Sequence, residues 1–390
     1  MKLWKHQQEL IDLNPDKWFL AWSTGTGKSL ALMTLAKNKG DKALVICPKS
    51  IVDKWKEDIV LHNVDADVIS KEQFKLKPIP FYNTIIVDEA HFFSGYKSAM
   101  TKTLMNYIKT HNPKHLYFAT ATPYLSTSYN VWTYLALFGH NISWYKWTST
   151  FFTKVKMGNR YIPVERKTYD GKPMSEVMGE FLKKIGNFVK IEDCFDVPEQ
   201  VDLKETFEIT AEQEKAFQEH HDLTPIVNYT KRLQIENGTL KLDDSFLTFK
   251  SEKLSRLLEL ISEHKKLVVV CRHRAEQEMI SKAIKKKCFI IHGDVKNRHE
   301  IVKQVNEADE CVVLVNASCS EGFELPLIPV MVFYSLSNSH KDHIQMRGRI
   351  LRANHLKKNV YIYLVVKGGV DEKVYKNVVV QKQDFHFNMM

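Results

Sequence analysis

Seven residues, Ser-Thr-Gly-Thr-Gly-Lys-Ser from Ser23 to Ser29, restrict the fold more than any other stretch of the chain. An apolar run, Trp18 to Trp22, precedes them, and Leu30 to Lys37, rich in Leu and Ala with one Met, follows. The first has the length and character of a buried strand, and the second favours a helix. A glycine turn between strand and helix gathers backbone N–H groups around an anion, and the helix N-terminus adds positive potential. Gly25 and Gly27 let the backbone approach phosphates with no Cβ in the way, and Thr24 and Thr26 complete the loop. Lys28 would reach the β- and γ-phosphates, and Ser29 would ligate magnesium. One position departs from the usual pattern: Trp22 stands where many phosphate loops carry their first glycine.

The alternation continues along the chain. Ala43 to Cys47 ends at Pro48-Lys49-Ser50, Thr84 to Val87 stops at Asp88-Glu89-Ala90-His91, and His115 to Ala119 ends in Thr120-Ala121-Thr122-Pro123. Apolar strands that each end in a polar cluster are expected of an open parallel sheet, whose ligands bind at the carboxyl ends of the strands. An aromatic, helix-prone region, Val131 to Phe152, and a basic segment follow. A second series then begins with Leu267 to Cys271, Cys288 to Ile291, Cys311 to Val315, Val330 to Tyr334 and Val360 to Val366. The expected fold class is α/β: two lobes with parallel sheets flanked by helices, plus small helical and hairpin insertions. We place the first lobe at residues 1–196, with an aromatic and basic insertion near 140–196, and the second at 197–390. The second opens with a strand, Val201 to Ile209, and holds a mostly helical insertion near 211–262, broken at Asn237-Gly238.

At 390 residues and 44% hydrophobic content the chain can bury two cores. A net charge of +10 points to a polyanionic partner, or to a basic enzyme whose lysines are simply solvated. The basic segment carries two turn signals, Met157-Gly158-Asn159 and Tyr169-Asp170-Gly171, and has a hairpin pattern. Lys154, Lys156, Arg160, Arg166 and Lys167 alternate there with Val155, Tyr161, Ile162 and Val164. Its basic face suits either nucleic acid or a solvated edge protected by lysines. The six cysteines form no Cys-x-x-Cys pair and read as buried thiols in a reducing compartment. Met1 to Leu10 lacks the apolar core of a secretory signal, and no apolar run reaches membrane-spanning length. The expectation is a cytoplasmic protein with no membrane partner.

Adjacent carboxylates after a phosphate loop have separate tasks in nucleotide hydrolysis. Asp88 would hold the magnesium shell, and Glu89 would orient and deprotonate the attacking water. Near the C-terminus, Gln345-Met346-Arg347-Gly348-Arg349-Ile350-Leu351-Arg352 offers cations for the charge of phosphoryl transfer. Arg349 and Arg352, read as one helical turn apart, would project from one face.

In this ordered series the chain resembles the superfamily 2 helicases and translocases. Leu3 to Gln7 looks like their adenine-reading motif, Ser23 to Ser29 like motif I, Leu44 to Ser50 like motif Ia, Asp88 to His91 like motif II and Thr120 to Pro123 like motif III. In the second half, Val268 to Arg274 resembles motif IV, Asn316 to Pro326 motif V and Gln345 to Arg352 motif VI. Leu44 to Trp55, Phe181 to Phe217 and Asn359 to Lys373 are most similar to the Swi/Snf-like double-stranded DNA translocases. Departures lie at Phe188-Val189-Lys190, at Ala353-Asn354-His355, and at Glu324, where that group usually has asparagine.

The resemblance implies ATP and Mg2+ as cofactors and DNA, duplex, forked or branched, as partner, with single strands or RNA as alternatives. It implies Gln7, Gly322, Glu324 and Gln345 beside the nucleotide, with Glu324 either binding ribose or capping a turn. For nucleic acid it implies Pro48, Lys49, Ser50, Thr122, His273, Arg274, Asn316 and Ser318. The activity implied is an ATP-dependent translocase. A strand-separating DNA or RNA helicase is the alternative within that class, and a nucleotide-gated adaptor ATPase the alternative outside it.

Overall fold

Short strands in which every residue is apolar need cover on both faces, and the structure supplies it. The computed structural model describes residues 3–123, 130–157, 160–172, 174–243, 245–295, 297–319, 322–351 and 358–382. They divide into two compact units, Met1–Phe195 and Asp196–Met390.

In the first unit α1 (Lys5–Leu13) precedes β1 (Lys17–Trp22) and α2 (Lys28–Lys39). Then come β2 (Ala43–Cys47), α3 (Val52–His62), β3 (Ala66–Ser70), α4 (Lys71–Leu76), β4 (Thr84–Asp88), α5 (Ala99–His111) and β5 (His115–Ala119). Two helices, α6 (Val131–Leu137) and α7 (Trp144–Phe151), lead to the hairpin β6 (Phe152–Met157) and β7 (Arg160–Glu165), then α8 (Met174–Lys183) and β8 (Gly186–Val189). The main sheet has six strands in the order β3-β2-β4-β5-β1-β8, all parallel. Successive residues serve opposite cores: Phe19, Ile46, Ile85, Val87 and Phe118 pack on one face, and Leu20, Val45, Ile86 and Tyr117 on the other. That period of two fixes the register, since a one-residue slip would exchange the two cores. The two outer strands, β3 and β8, were not legible as apolar runs. Each has a neighbour on one side only, and β3 is half-buried at four of its five positions.

The second unit repeats the plan. After β9 (Glu199–Phe207) come α9 (Ala211–Glu219), α10 (Pro225–Glu236), the small hairpin β10 (Thr239–Lys241) and β11 (Phe246–Thr248), and α11 (Glu252–Glu263). There follow β12 (Lys266–Cys271), α12 (Arg274–Ala283), β13 (Cys288–Ile291), α13 (Arg298–Glu307) and β14 (Cys311–Asn316). The unit closes with β15 (Val330–Phe333), α14 (His340–Arg347), β16 (Lys358–Val366) and α15 (Val370–Tyr375). Its sheet is again six parallel strands, ordered β13-β14-β12-β15-β16-β9. The expected fold class of two parallel-sheet α/β lobes is therefore found. The stretch expected to be mostly helical contains a hairpin at its Asn237-Gly238 break, where Gly238 takes φ +81°. All six cysteines are free thiols. No helix among the described residues is long and apolar enough to cross a membrane.

Candidate functional site

The phosphate loop sits at the carboxyl end of β1 and opens α2. Gly25 and Gly27 take φ values of +82° and +73°, a region that glycine enters without a Cβ penalty. Gly27 is also closed in on by α1: a Cβ there would come within 2.2 Å of Gln7 Nε2 and 2.9 Å of the Trp4 ring. Those contacts hold the loop's shape. Gln7 Nε2 donates to Gly27 O at 3.0 Å, and its Oε1 accepts from Trp4 N at 2.9 Å. His6 Nε2 donates to Thr26 O at 2.9 Å, and its ring meets that of Trp22 edge to face at 4.8 Å. Gln7, expected beside the adenine, thus has its amide bonded within the chain at both ends. Thr26 is buried and its hydroxyl donates to Ser23 O at 2.8 Å. Thr24, Gly25, Lys28 and Ser29 are half-buried on the loop.

Trp22, in place of a first glycine, is a core residue. Its indole donates to Asn187 Oδ1 at 2.8 Å, and Trp18 donates to the same oxygen at 3.0 Å, so one β8 amide secures both β1 tryptophans. The loop does not need flexibility at that position. Lys28 folds back onto the loop, its Nζ donating to Trp22 O and Ser23 O at 2.9 Å each.

β4 delivers Asp88 and Glu89 to the same edge of the sheet. Asp88 is buried; its Oδ2 accepts from Trp55 Nε1 at 2.9 Å, and its Oδ1 accepts from Glu89 N at 2.9 Å. Burial, with the Glu89 charge adding to it, pushes the Asp88 carboxyl up to about 6, while Lys28 and the Trp55 bond pull the other way. β1 and β4 flank β5, with Leu20 and Asp88 both in register with Ala119, so loop and carboxylates lie at the same edge of the sheet. Glu89 takes a left-handed φ of +51°, an uncommon conformation for a residue with a side chain. Its Oε2 lies 3.1 Å from Nδ1 of the buried His91. His91 Nδ1 is also 3.1 Å from Thr120 Oγ1, and that oxygen accepts from Thr122 N at 3.1 Å. The motif matches cover Trp55, His91 and Thr120 but assign none of them a role at the site, which their contacts with Asp88, Glu89 and Thr122 supply.

A magnesium ion binds through one or two carboxylates, waters and substrate phosphates, so a dedicated cage is not needed. Among the described residues no cluster of three or more His, Cys, Asp or Glu side chains could hold a metal. Asp88 and Ser29 supply hard oxygen donors of the required type.

Two consequences follow for this pocket. Removing the hydrogen bond from the Asp88 carboxylate in Trp55→Phe should lower magnesium–nucleotide affinity about tenfold, as loss of an outer-shell partner does. Isothermal titration in magnesium against titration in EDTA checks it. Asp88 also destabilises the ligand-free fold. Its pKa rises from 3.8 unfolded to about 6 folded, so the folded protein holds more protons between those values and stability falls as pH rises through that window. Asp88→Asn should therefore raise the melting temperature at pH 7, by about 1–3 kcal/mol of stability, with little gain at pH 4.

In the second unit α14 ends at Arg347, with Gly348 as its C-cap, so Arg349 lies in the following turn and not on a helix face. The one-face pairing with Arg352 is thereby corrected for Arg349, and Arg352 lies outside the described residues. The turn is held by the segment that precedes it and the strand beside it. Leu325 N donates to Arg349 O at 2.8 Å, and Arg349 Nη1 donates to Phe323 O at 3.1 Å. Arg347 fixes the helix end by bonding Asp202 and Tyr363 while its guanidinium stacks 3.8 Å from the Tyr361 ring centroid. Gly322 has φ +81°, Glu324 is half-buried, and Gln345 is buried on α14.

The residues expected at nucleic acid differ in what they offer. Lys49 and Ser50 are exposed after β2, Pro48 is buried beneath them, and Thr122 is half-buried after β5. Arg274 is exposed at the start of α12 and pairs with Asp294 at 2.7 Å. His273 caps that helix, and burial lowers its pKa, which keeps the ring neutral. Asn316 ties strand ends together, donating to Arg272 O at 2.9 Å and accepting from the exposed Ser318 hydroxyl at 2.6 Å.

Fold and site together define an α/β protein with a phosphate loop, a paired-carboxylate strand end and a second parallel-sheet unit. Residues 250–354 match the family model described as "Helicase conserved C-terminal domain". The chain is also similar to the Sulfolobus solfataricus SWI2/SNF2 ATPase core in complex with dsDNA. Identity there is 15%, coverage is 97% of this chain and 91% of that one, and the TM-score is 0.44. No curated protein matches the chain.

Proposed function

We propose that this protein is an ATP-dependent DNA translocase, hydrolysing ATP to move along duplex or branched DNA. The observation that carries the reading is geometric: β1 and β4 flank β5, with Leu20 and Asp88 both in register with Ala119, so the phosphate loop after β1 and the buried Asp88-Glu89 pair open on one edge of one sheet. In that reading the backbone of 24–27 cradles the phosphates, Lys28 leaves the Trp22 and Ser23 carbonyls for the γ-phosphate, and Ser29 and Asp88 hold Mg2+. Bound magnesium would neutralise charge on the β- and γ-phosphates. Glu89, oriented by His91, takes the proton of the attacking water, and Arg349 is read as the guanidinium that stabilises the transferring phosphoryl group.

Coupling to DNA uses the contact chain Glu89–His91–Thr120–Thr122, because a proton gained by Glu89 changes what His91 can accept or donate at Thr120. The helicase C-terminal match and the net charge of +10 favour a motor on a polyanion over a nucleotide-timed adaptor. Steady-state phosphate release, without nucleic acid and with single-stranded, duplex and forked DNA or RNA, tests the assignment, with Lys28→Ala as the blank. Stimulation by duplex or forked DNA is the expected result. Stimulation by RNA or single strands alone would favour the unwinding alternative, and turnover indifferent to all of them would favour the adaptor.

A further inference from the structure

The hairpin β6–β7 is not part of the six-stranded sheet. It forms a sheet of its own, with Phe152 opposite Glu165 at its base and Met157 opposite Arg160 at its tip. The base is anchored: Phe151 and Phe152 are buried in the core, Arg166 N donates to Phe151 O at 2.9 Å, and Arg166 Nε donates to Phe152 O at 3.1 Å. Beyond that base the described side chains face solvent, and strands of this length reach roughly 20 Å. An isolated two-stranded ribbon is marginally stable in water, so a projecting one held only at its root has a use that packing does not explain.

Its two faces differ in chemistry. Because opposed residues in an antiparallel pair share a face, Lys156 lies beside Tyr161 and Lys154 beside Pro163. The other face carries the uncharged Thr153, Val155 and Val164, with Arg160 at its tip opposite Met157, and Glu165 lies at the root of the lysine face opposite Phe152. Tyr161 is 67% exposed. Among the described residues neither Lys154 nor Lys156 has a carboxylate within ion-pair distance, whereas the exposed Lys183 and Lys282 both do. Residues 152–172 hold six Lys or Arg against two acids, an excess of four within a chain whose net charge is +10. Lysines that only guard an edge would not need an aromatic ring beside them on the face.

We propose that this face binds DNA where paired and unpaired strands meet, with Lys154 and Lys156 on phosphates and Tyr161 stacked on an unpaired base. The proposal rests on the DNA reading above and adds to it a contact outside the strand-end loops. Lysine ammonium groups neutralise phosphates with release of counterions, and a projecting tyrosine offers its ring to any base freed from its stack.

Fluorescence anisotropy with a forked duplex and a blunt duplex of equal length, over a range of salt, tests it. Tyr161→Ala should weaken fork binding about tenfold and leave blunt-duplex binding nearly unchanged. The double variant Lys154→Ala, Lys156→Ala should lower the slope of log affinity against log salt on the fork by about 1.5. Since all three side chains are exposed, melting temperatures should match wild type and separate lost contact from lost fold. Fork binding by wild type that neither variant alters would overturn the hairpin role alone. Equal losses on fork and blunt duplex in Tyr161→Ala would overturn base stacking. A wild-type protein that binds neither DNA would overturn the hairpin role and the translocase reading together.

Discussion

Glu89→Gln is expected to lower ATP turnover about 10³-fold while nucleotide affinity stays within a few-fold, because a general base acts on the reaction and not on ground-state binding. The substitution is close to isosteric and keeps an oxygen for His91 at the 3.1 Å position. It also removes the charge that raises the Asp88 carboxyl, so magnesium binding should not weaken. Single-turnover phosphate release, read beside equilibrium binding of a fluorescent nucleotide, separates the two effects. A parallel loss of binding and turnover would mean that Glu89 shapes the pocket and is not its base.

Arg349→Ala should reduce turnover by about 10³-fold or more if its guanidinium stabilises the transferring phosphoryl group. In the structure that guanidinium is buried and donates to Phe323 O, so its use in hydrolysis requires an exchange of that bond for phosphate oxygens. Arg349→Lys distinguishes chemistry from packing, since lysine keeps the charge without the planar fork. Catalysis predicts that lysine rescues only a small part of the rate in protein that melting curves show to be folded, whereas a packing role alone predicts turnover that recovers with stability. Near-normal turnover in a folded Arg349→Ala protein would remove the arginine from the reaction.

The strand ends were legible in the sequence because parallel strands covered on both faces read as apolar runs, and a phosphate loop must follow such a run. The run Ala43–Cys47 is the strand β2 itself, and His115–Ala119 is β5. In the first unit the edge strands escaped for the converse reason, whereas β9 and β13, the edges of the second sheet, were read as Val201 to Ile209 and Cys288 to Ile291. Half-buried β3, and β8 with its single neighbour, lack the continuous apolar pattern that marks the centre of a sheet. Arg349 was read as helical because the spacing from Arg352 fits a turn of helix. Local spacing cannot report that Leu325 N, 24 residues away, captures the Arg349 carbonyl. The supporting residues were hidden in the same way: the bond from Trp55 to Asp88 spans 33 residues and that from Trp22 to Asn187 spans 165, and no motif carries either.

Movement along duplex DNA driven by ATP hydrolysis can be followed by triplex displacement. A labelled third strand is annealed to one end of a long duplex, and its release is followed with ATP, with a non-hydrolysable analogue and with Glu89→Gln protein. Release is expected with ATP alone, after a lag that lengthens with the duplex between loading site and triplex, and none with the analogue or the variant. Duplex-stimulated ATP hydrolysis without release of the third strand would contradict such movement.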